Sequence, residues 1–187
     1  MNAARLICII GAECTGKTTL ARALAEHFDC PWVPEYLRDF CDAHGRTPTR
    51  DEQLQVLETQ HAGELAAQLR AMQQGKPFVF CDTAPLLTAI YSDYIFADAS
   101  LYACARVLHA NYASTLLLGC DIVWQPDGLQ RDGAHVRGPV TQRIERELAA
   151  LALPLTRVSG LAEARLATAL EAIKALDRSI KSAEINR

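Results

Sequence analysis

The sequence predicts an α/β protein built on a five-stranded parallel sheet. Short apolar runs of strand length alternate along the chain with longer stretches in which apolar residues recur at helical spacing, and such alternation is typical of β-α units. With 187 residues, 50% of them hydrophobic, the chain is long enough to bury a core of this kind. The predicted strands are residues 6–10, 32–35, 78–81, 115–118 and 155–158.

Six helices are predicted between and after these strands. In the first, Leu20, Leu24 and Phe28 recur four residues apart and form one apolar face. Pro139 and Ser159 are suited to the starts of the last two helices. The predicted helices are residues 16–28, 50–74, 85–96 and 100–112, and two more that begin near 139 and 159.

The helix over residues 50–74 is the longest, and a Thr-x-x-Glu capping box at Thr49 and Glu52 marks its start. We expect its apolar face to consist of the residues that share one side at helical spacing. We expect the single histidine among them to be structural. These residues are Leu54, Leu57, His61, Leu65, Leu69 and Met72.

Composition excludes several classes of protein. The formal net charge is −3 despite 15 arginines, so no broad cationic surface for nucleic acid is predicted. No apolar run approaches the 20 or so residues of a membrane span, and the N-terminus does not resemble a targeting segment. The seven cysteines are scattered without a Cys-x-x-Cys pair, and the five histidines have no metal-ligand spacing. We therefore expect reduced thiols, a cytoplasmic location and one domain over residues 1–187.

Residues 11–18 read Gly-Ala-Glu-Cys-Thr-Gly-Lys-Thr and fit the phosphate-binding P-loop pattern, directly after a predicted strand and before a predicted helix. The glycines allow consecutive N–H groups to turn inward around an anion, Lys17 adds a charge for the β- and γ-phosphates, and Thr18 can ligate Mg²⁺. The sequence thus predicts a three-layer P-loop NTPase fold that binds ATP and Mg²⁺. The candidate ATP-binding residues are Gly11, Glu13, Cys14, Thr15, Gly16, Lys17, Thr18, Thr19 and Arg137.

The end of the third predicted strand indicates transfer rather than hydrolysis. Asp82 can serve Mg²⁺ together with Thr18, but Thr83 follows it where motor-type ATPases carry a water-activating glutamate. The base-reading sequence Asn-Lys-x-Asp of GTP-binding switches does not occur in the chain. These features favour phosphoryl transfer to a small acceptor.

Carboxylates at the carboxyl ends of the strands are candidates for handling that acceptor, because ligands of open parallel sheets bind there. Glu35, Asp82 and Asp121 meet this condition. Either Glu35 or Asp82 is suited to act as the base that orients or deprotonates the acceptor hydroxyl. The alternative for Glu35 is a salt bridge to Arg38, and for Asp121 a structural role is equally plausible.

A polar segment rich in glycine and arginine follows the fourth strand, and we interpret residues 125–152 as a short lid. Its arginines are candidates for stabilising the transferring phosphoryl group, and we expect at most two of them to touch ATP. The alternative is a solvated helix face with an Arg143–Glu147 pair. The four arginines are Arg131, Arg137, Arg143 and Arg146.

Together these motifs resemble a known family. The P-loop residues 11–20, then Pro34-Glu35-Tyr36-x-Arg38, Asp82-Thr83 and Trp124-x-x-Asp127-Gly128, are similar to the ribosylnicotinamide kinase domain of the NadR-type NAD regulators and its stand-alone relatives. The resemblance implies ATP-dependent phosphorylation of the 5′-hydroxyl of nicotinamide riboside, giving nicotinamide mononucleotide. One departure is that Arg131 lies one position later than the arginine usual after Asp-Gly.

The resemblance also implies an acceptor pocket. A cationic pyridinium ring favours aromatic faces and carboxylates, which Tyr36, Trp124 and Asp127 can offer, although core packing is the alternative for both aromatic residues. Only ten residues precede Gly11, so we expect no counterpart of the NadR adenylyltransferase and helix-turn-helix parts. The candidate catalytic residues are Lys17, Glu35, Asp82 and Arg131, and the candidate acceptor residues are Glu35, Tyr36, Arg38, Trp124 and Asp127.

Two other functions stay open at this point. Because fold and P-loop do not choose the acceptor, the substrate can be another nucleoside or a small hydroxylated metabolite. A nucleotide-sensing regulatory ATPase is the third possibility. The sequence gives no oligomeric state.

Overall fold

A five-stranded parallel sheet forms the centre of the structure, a computed structural model that describes residues 4–126 and 133–185. The strand order is β2-β3-β1-β4-β5, and each neighbouring pair is parallel. The predicted fold class is thereby confirmed. The strands are β1 Arg5–Ile10, β2 Trp32–Val33, β3 Phe78–Asp82, β4 Ser114–Leu118 and β5 Leu155–Val158.

Strand β2 is shorter than predicted because Pro34 follows it. Proline lacks the N–H that a ladder hydrogen bond needs, and Glu35 already caps the next helix with an extended backbone. That helix, Tyr36–His44, was not among the six predicted helices. It is short and buries only Phe40 and Cys41, so its periodic signal in the sequence is weak.

Seven α-helices surround the sheet in the described parts of the chain. Two 3₁₀ turns, Arg50–Glu52 and Ala134–Val136, precede α3 and α6. The α-helices are α1 Lys17–Phe28, α2 Tyr36–His44, α3 Gln53–Gln73, α4 Pro85–Phe96, α5 Tyr102–His109, α6 Arg137–Leu151 and α7 Ala162–Ile185.

The helices lie in two layers, one on each face of the sheet. Helices α1 and α7 pack on the face that carries Ile7 and Ile9 of β1, together with Phe78 and Phe80 of β3. The opposite face packs against side chains of α3, α4, α5 and α6. Since β1 is the central strand and its alternate residues enter both cores, the loop that follows β1 is anchored from both sides.

The predicted apolar face of α3 is wrong for most of its members. Leu54, Leu65 and Leu69 are 45%, 48% and 52% exposed, whereas Leu57 is fully buried. Alanines let the helix backbone approach its neighbours closely, and the buried polar side chains hydrogen-bond within the interior. The buried face consists of Gln53, Val56, Leu57, Gln60, Glu64, Ala67 and Ala71.

The capping box predicted at the start of this helix is present. The Glu52 carboxylate accepts hydrogen bonds from the backbone N–H and the hydroxyl of Thr49, both at 2.8 Å. The capping box belongs to the 3₁₀ turn Arg50–Glu52, and α3 begins directly after that turn, at Gln53.

All seven cysteines, which lie within residues 4–126, are free thiols. None of the helices in residues 4–126 and 133–185 combines the length and the apolar character needed to cross a membrane.

The corrected face of α3 gives a prediction about stability. Leu57→Ala should lower the free energy of unfolding by about 2–5 kcal/mol, because it removes a fully buried side chain. Leu65→Ala, on the same helix, should change it by no more than about 0.5 kcal/mol. Urea unfolding of both variants measures this. A larger loss for Leu65→Ala would contradict the burial pattern.

Candidate nucleotide and acceptor site

The loop between β1 and α1 needs glycine at both of its motif positions. A Cβ on Gly11 would lie 2.8 Å from the Thr15 hydroxyl and 3.0 Å from the Leu118 carbonyl oxygen. Gly16 has a φ of +81°, in the left-handed region that favours glycine. Tight packing therefore fixes the start of the loop, and backbone conformation fixes its end.

The lysine of the loop is folded back inside it. Lys17 is 9% exposed, and its Nζ donates to the carbonyl of Ala12 at 3.2 Å. The Thr15 hydroxyl donates to the same carbonyl at 2.8 Å. Helix α1 begins at Lys17 with Gly16 as its N-cap, so its first-turn amides and positive dipole end lie at the loop. This arrangement can bind a polyphosphate. Thr19, another predicted ATP residue, is exposed on the same first turn.

A hydroxyl and a carboxylate meet beside the loop. The Thr18 hydroxyl donates to Asp82 Oδ2 at 2.5 Å, and Asp82 is fully buried at the end of β3. The other carboxylate oxygen, Oδ1, is buried without a hydrogen-bond partner. Hard oxygen donors of this kind fit Mg²⁺. The described residues contain no cluster of three or more His, Cys, Asp or Glu that could hold a metal, so phosphates and water would have to complete the coordination.

Arg137 has a buried guanidinium that is linked to the loop through Ile122. It is 9% exposed and donates through Nη1 to the Ile122 carbonyl at 2.8 Å, while its Nε and Nη2 are buried without a hydrogen-bond partner. The Ile122 side chain in turn lies against Gly16. Guanidinium donors without a partner suit an anionic oxygen such as that of a phosphate.

The other predicted arginines are placed differently. Arg143 donates to Asp93 at 2.9 Å rather than pairing with Glu147, and its guanidinium lies 5.2 Å from the Tyr94 ring centre. Arg146 contacts Glu147 at 3.2 Å. The Arg143 contact joins α6 to α4, and the Arg146–Glu147 contact lies within α6. Neither contact involves the P-loop. Arg131 and Asp127 lie outside the described residues.

Arg165 is a loop-supporting residue that sequence reasoning missed. Its side chain is 4% exposed and donates to the carbonyls of Thr15, Gly119 and Gly160, and to the Asp121 carboxylate at 3.2 Å. One guanidinium thus ties the P-loop to the ends of β4 and β5. Asp121 also accepts from the Gly160 amide at 2.7 Å, so its role here is structural. In the sequence, Arg165 directly precedes Leu166, the first residue of the apolar face of the last helix. An arginine in that position cannot be told from a surface residue by its sequence alone.

Glu13 and Cys14, which occupy variable positions of the P-loop pattern, accept hydrogen bonds from the chain that follows β4. Glu13 accepts hydrogen bonds from Trp124 Nε1 at 2.7 Å and from the Gly133 amide at 3.1 Å. Cys14 accepts from the Gln125 amide at 3.4 Å. The indole of Trp124 is therefore bound to the loop through its N–H.

A cavity of about 380 Å³ opens next to the loop. Five predicted residues line it, namely Glu13, Cys14, Lys17, Glu35 and Arg38. The Arg38 Nε lies 3.8 Å from a Glu35 carboxylate oxygen. Tyr36 and Trp124 are not among its described lining residues. The aromatic lining comes from Tyr91 and Phe96 of α4, which sequence reasoning missed because the near-continuous apolar run of that helix does not separate core from cavity. The side chains that line it further include Leu37, Thr47, Thr49, Gln53, Gln60, Thr83, Leu87, Thr88 and Ile95.

A phosphate-binding loop after the central strand, with a buried carboxylate at the end of the neighbouring strand, defines a P-loop nucleotide-binding protein. A family model described as AAA domain matches residues 6–165, and the chain belongs to that family. A search of curated proteins gave no match.

Solved structures share this fold at low sequence identity. The NadR protein in complex with NR is 20% identical, with a TM-score of 0.72, over 92% of this chain and 50% of that one. Thymidylate kinase from Ehrlichia chaffeensis is 16% identical, with a TM-score of 0.63, over 94% and 100%. Deoxyadenosine kinase from M. mycoides is 13% identical, with a TM-score of 0.57, over 95% and 99%. The resemblance to NadR is confirmed at the level of the fold, and the chain spans about half the length of the NadR structure.

The placement of Lys17 predicts the effect of removing its charge. Lys17→Ala should abolish ATP turnover and weaken nucleotide binding at least tenfold, while thermal unfolding stays close to that of the unmodified protein. Lys181→Ala, which removes an exposed lysine of α7, is the matched control. Nucleotide titration calorimetry and ADP release measure both. Undiminished binding in Lys17→Ala would refute the site.

The contacts of Arg165 predict a combined loss. Arg165→Met should lower the free energy of unfolding by about 3 kcal/mol, because it leaves buried carbonyls without donors, and should weaken nucleotide binding by loosening the loop. Arg157→Met, which removes an exposed arginine of β5, should leave both unchanged. Denaturant unfolding and nucleotide titration give the comparison. Full nucleotide affinity in a destabilised Arg165→Met protein would show that the loop does not depend on this side chain.

Proposed function

We propose that this protein is an ATP-dependent kinase that phosphorylates the 5′-hydroxyl of nicotinamide riboside, giving nicotinamide mononucleotide and ADP. One observation carries the kinase part of the proposal. A single cavity joins Lys17 of the P-loop to the Glu35 carboxylate at the start of α2, so a phosphate donor and a hydroxyl acceptor can meet within it.

In the proposed reaction the acceptor hydroxyl oxygen attacks the γ-phosphorus as the bond to the β-γ bridging oxygen breaks. The hydroxyl proton passes to a carboxylate and ADP leaves. Lys17 and the α1 amides hold the phosphates, and Arg137 offers charge to the equatorial oxygens. Mg²⁺, when bound through Thr18 and Asp82, neutralises charge on the phosphates.

The geometry favours Glu35 over Asp82 as the acceptor base. Asp82 accepts the Thr18 hydrogen bond and is fully buried, whereas Glu35 lines the cavity and keeps 14% of its side chain exposed. The Arg38 Nε lies 3.8 Å from the Glu35 carboxylate, and a carboxylate in the cavity lining can accept a hydrogen bond or a proton from an acceptor hydroxyl.

Nicotinamide riboside is supported as the acceptor by the sequence motifs and by the cavity. The Glu-Tyr-x-Arg and Trp-x-x-Asp-Gly sequences resemble the NadR kinase family, and a solved NadR structure in complex with NR shares the fold. The cavity offers the rings of Tyr91 and Phe96 and the carboxylates of Glu13 and Glu35, and both kinds of group suit a cationic ring.

Arg38 favours a second candidate. A guanidinium in the cavity lining suits an acceptor that already carries a phosphate, and thymidylate kinase, a nucleotide kinase by name, has the same fold. A nucleoside monophosphate is therefore the alternative acceptor. A nucleotide-sensing ATPase would bind ATP without any acceptor-dependent ADP release.

A panel of acceptors separates these functions. Coupled ADP release should be fast with nicotinamide riboside and at least tenfold slower with adenosine, deoxyadenosine, thymidine and thymidine monophosphate. Strong turnover on the monophosphate would establish the second candidate instead. ADP release that is independent of every acceptor would refute the kinase proposal.

Removing the proposed base gives a further prediction. Glu35→Gln should lower kcat about 10²-fold or more with little change in KM for ATP, because the amide cannot take the hydroxyl proton. Asp39→Asn removes an exposed carboxylate from the same helix and should leave kcat unchanged. Steady-state kinetics of both variants test this. A Glu35→Gln enzyme with full kcat would shift the role of base to another group.

A further inference from the structure

A buried polar chain on α3 leads to the acceptor side of the cavity. Glu64 is 1% exposed and Gln60, one turn earlier, is 3% exposed. The Gln60 Nε2 donates to Glu64 Oε1 at 3.1 Å, and the Gln60 Oε1 accepts from the backbone N–H of Tyr36 at 2.8 Å. Gln60 therefore connects the interior of the protein to the first residue of α2.

The direction of these hydrogen bonds fixes the orientation of the Gln60 amide. An amide group turned by 180° would direct its NH₂ at the Tyr36 N–H and its oxygen at the Glu64 carboxyl, so two donors would face each other. An acceptor oxygen at Glu64 prevents this, because it selects the orientation in which Nε2 points inward. Burial makes the selection strong, since no water replaces a lost partner.

Through the Tyr36 amide, Gln60 holds the start of α2, and the proposed base, Glu35, directly precedes that helix. Tyr36 is the first residue of α2, and Glu35 is its N-cap. Because Glu35 directly precedes Tyr36, the backbone position of Tyr36 sets the point from which the Glu35 side chain extends. Gln60 and Glu35 also line the same cavity.

We propose that Gln60 and Glu64 are positioning residues for the phosphoryl acceptor: Glu64 orients the Gln60 amide, which holds the Tyr36 amide and thereby sets Glu35 against the acceptor hydroxyl. The proposal rests on the kinase function proposed above. Neither residue touches the reacting atoms, and both act through the start of α2.

The surroundings of Glu64 determine its charge. Burial raises the pKa of its carboxyl to about 7. The Tyr112 phenol and the thiols of Cys8 and Cys81 lie near it in the interior, and His61 Nδ1 of its own helix lies 3.7 Å from Oε2. Burial lowers the pKa of His61, which is therefore neutral near pH 7. Both forms of Glu64 keep an acceptor oxygen, so the native contact holds on either side of pH 7.

A second carboxylate at position 60 makes the contact depend on pH. In Gln60→Glu, a protonated Glu64 can donate to the new carboxylate, which still accepts from the Tyr36 amide. The two neighbouring carboxyls share one proton, because each disfavours ionisation of the other, so both are ionised and repel each other only well above pH 7. The variant should therefore behave like the unmodified protein at pH 6 and approach Gln60→Leu as the pH rises. The double variant Gln60→Glu with Glu64→Gln restores one donor and one acceptor at any pH.

The experiment measures kinetics with nicotinamide riboside and exchange of the Tyr36 amide by NMR. Gln60→Leu should lower kcat/KM for the riboside at least tenfold, leave the Kd for ATP within twofold and speed exchange of the Tyr36 amide. The double variant should recover most of both losses. Gln68→Leu is the matched control, since it removes another α3 glutamine that donates to a backbone carbonyl, that of Ala4 at 2.7 Å, away from the cavity.

The outcomes separate the two proposals. Unchanged Tyr36 exchange in Gln60→Leu, equal losses for ATP and riboside, or a double variant no better than Gln60→Leu would each overturn the positioning role, even in an active kinase. Fast Tyr36 exchange in Gln60→Leu, combined with no acceptor-dependent turnover in the unmodified protein, would refute the kinase function itself and the positioning role with it.

Discussion

The hydrogen bond between the Thr18 hydroxyl and Asp82 Oδ2 joins the two elements on which the site depends. It can form because β1 and β3 pair in parallel with Ile9 opposite Asp82, so the start of α1 and the end of β3 reach the same edge of the sheet. The buried Asp82 carboxylate thus accepts a hydrogen bond directly from a residue of the loop. The P-loop and the end of β3, whose next residue Thr83 lines the cavity, meet at this junction.

Support for the loop comes from the side of the sheet opposite to the cavity. Arg165 reaches from α7 under the loop, and its single guanidinium serves carbonyls from three segments of chain. Burying a charged group is unfavourable unless hydrogen bonds replace its hydration, and here the three carbonyls and the Asp121 carboxylate provide them. The candidate ligand-binding residues therefore lie on the cavity side of the sheet, and the residue that supports the loop lies on the α7 side.

The acceptor side is built from helices rather than from the sheet. Glu35 is the N-cap of α2, and Tyr91 and Phe96 lie on α4. Gln60 and Glu64 lie on α3. A common phosphate site can therefore coexist with different acceptors, because these side chains belong to neither the loop nor β3. This is consistent with a fold shared among structures that are named for different substrates.

The sequence by itself determined the sheet, most helices and the phosphate site. Local patterns suffice there, since strand-length apolar runs, the glycine spacing and Lys17 all act within a few residues of one another. The start of α3 was also predictable, because a capping box is a contact between residues three apart.

Only the tertiary structure decided which side of each helix is buried and what lines the cavity. Leucines of α3 face outward while Gln60 and Glu64 face inward, because polar side chains can be buried when partners from distant segments satisfy them. Arg165 and Tyr91 gain their surroundings in the same way, from residues far along the chain. Periodicity records hydrophobicity but not hydrogen-bond partners, and those partners exist only once the elements have packed.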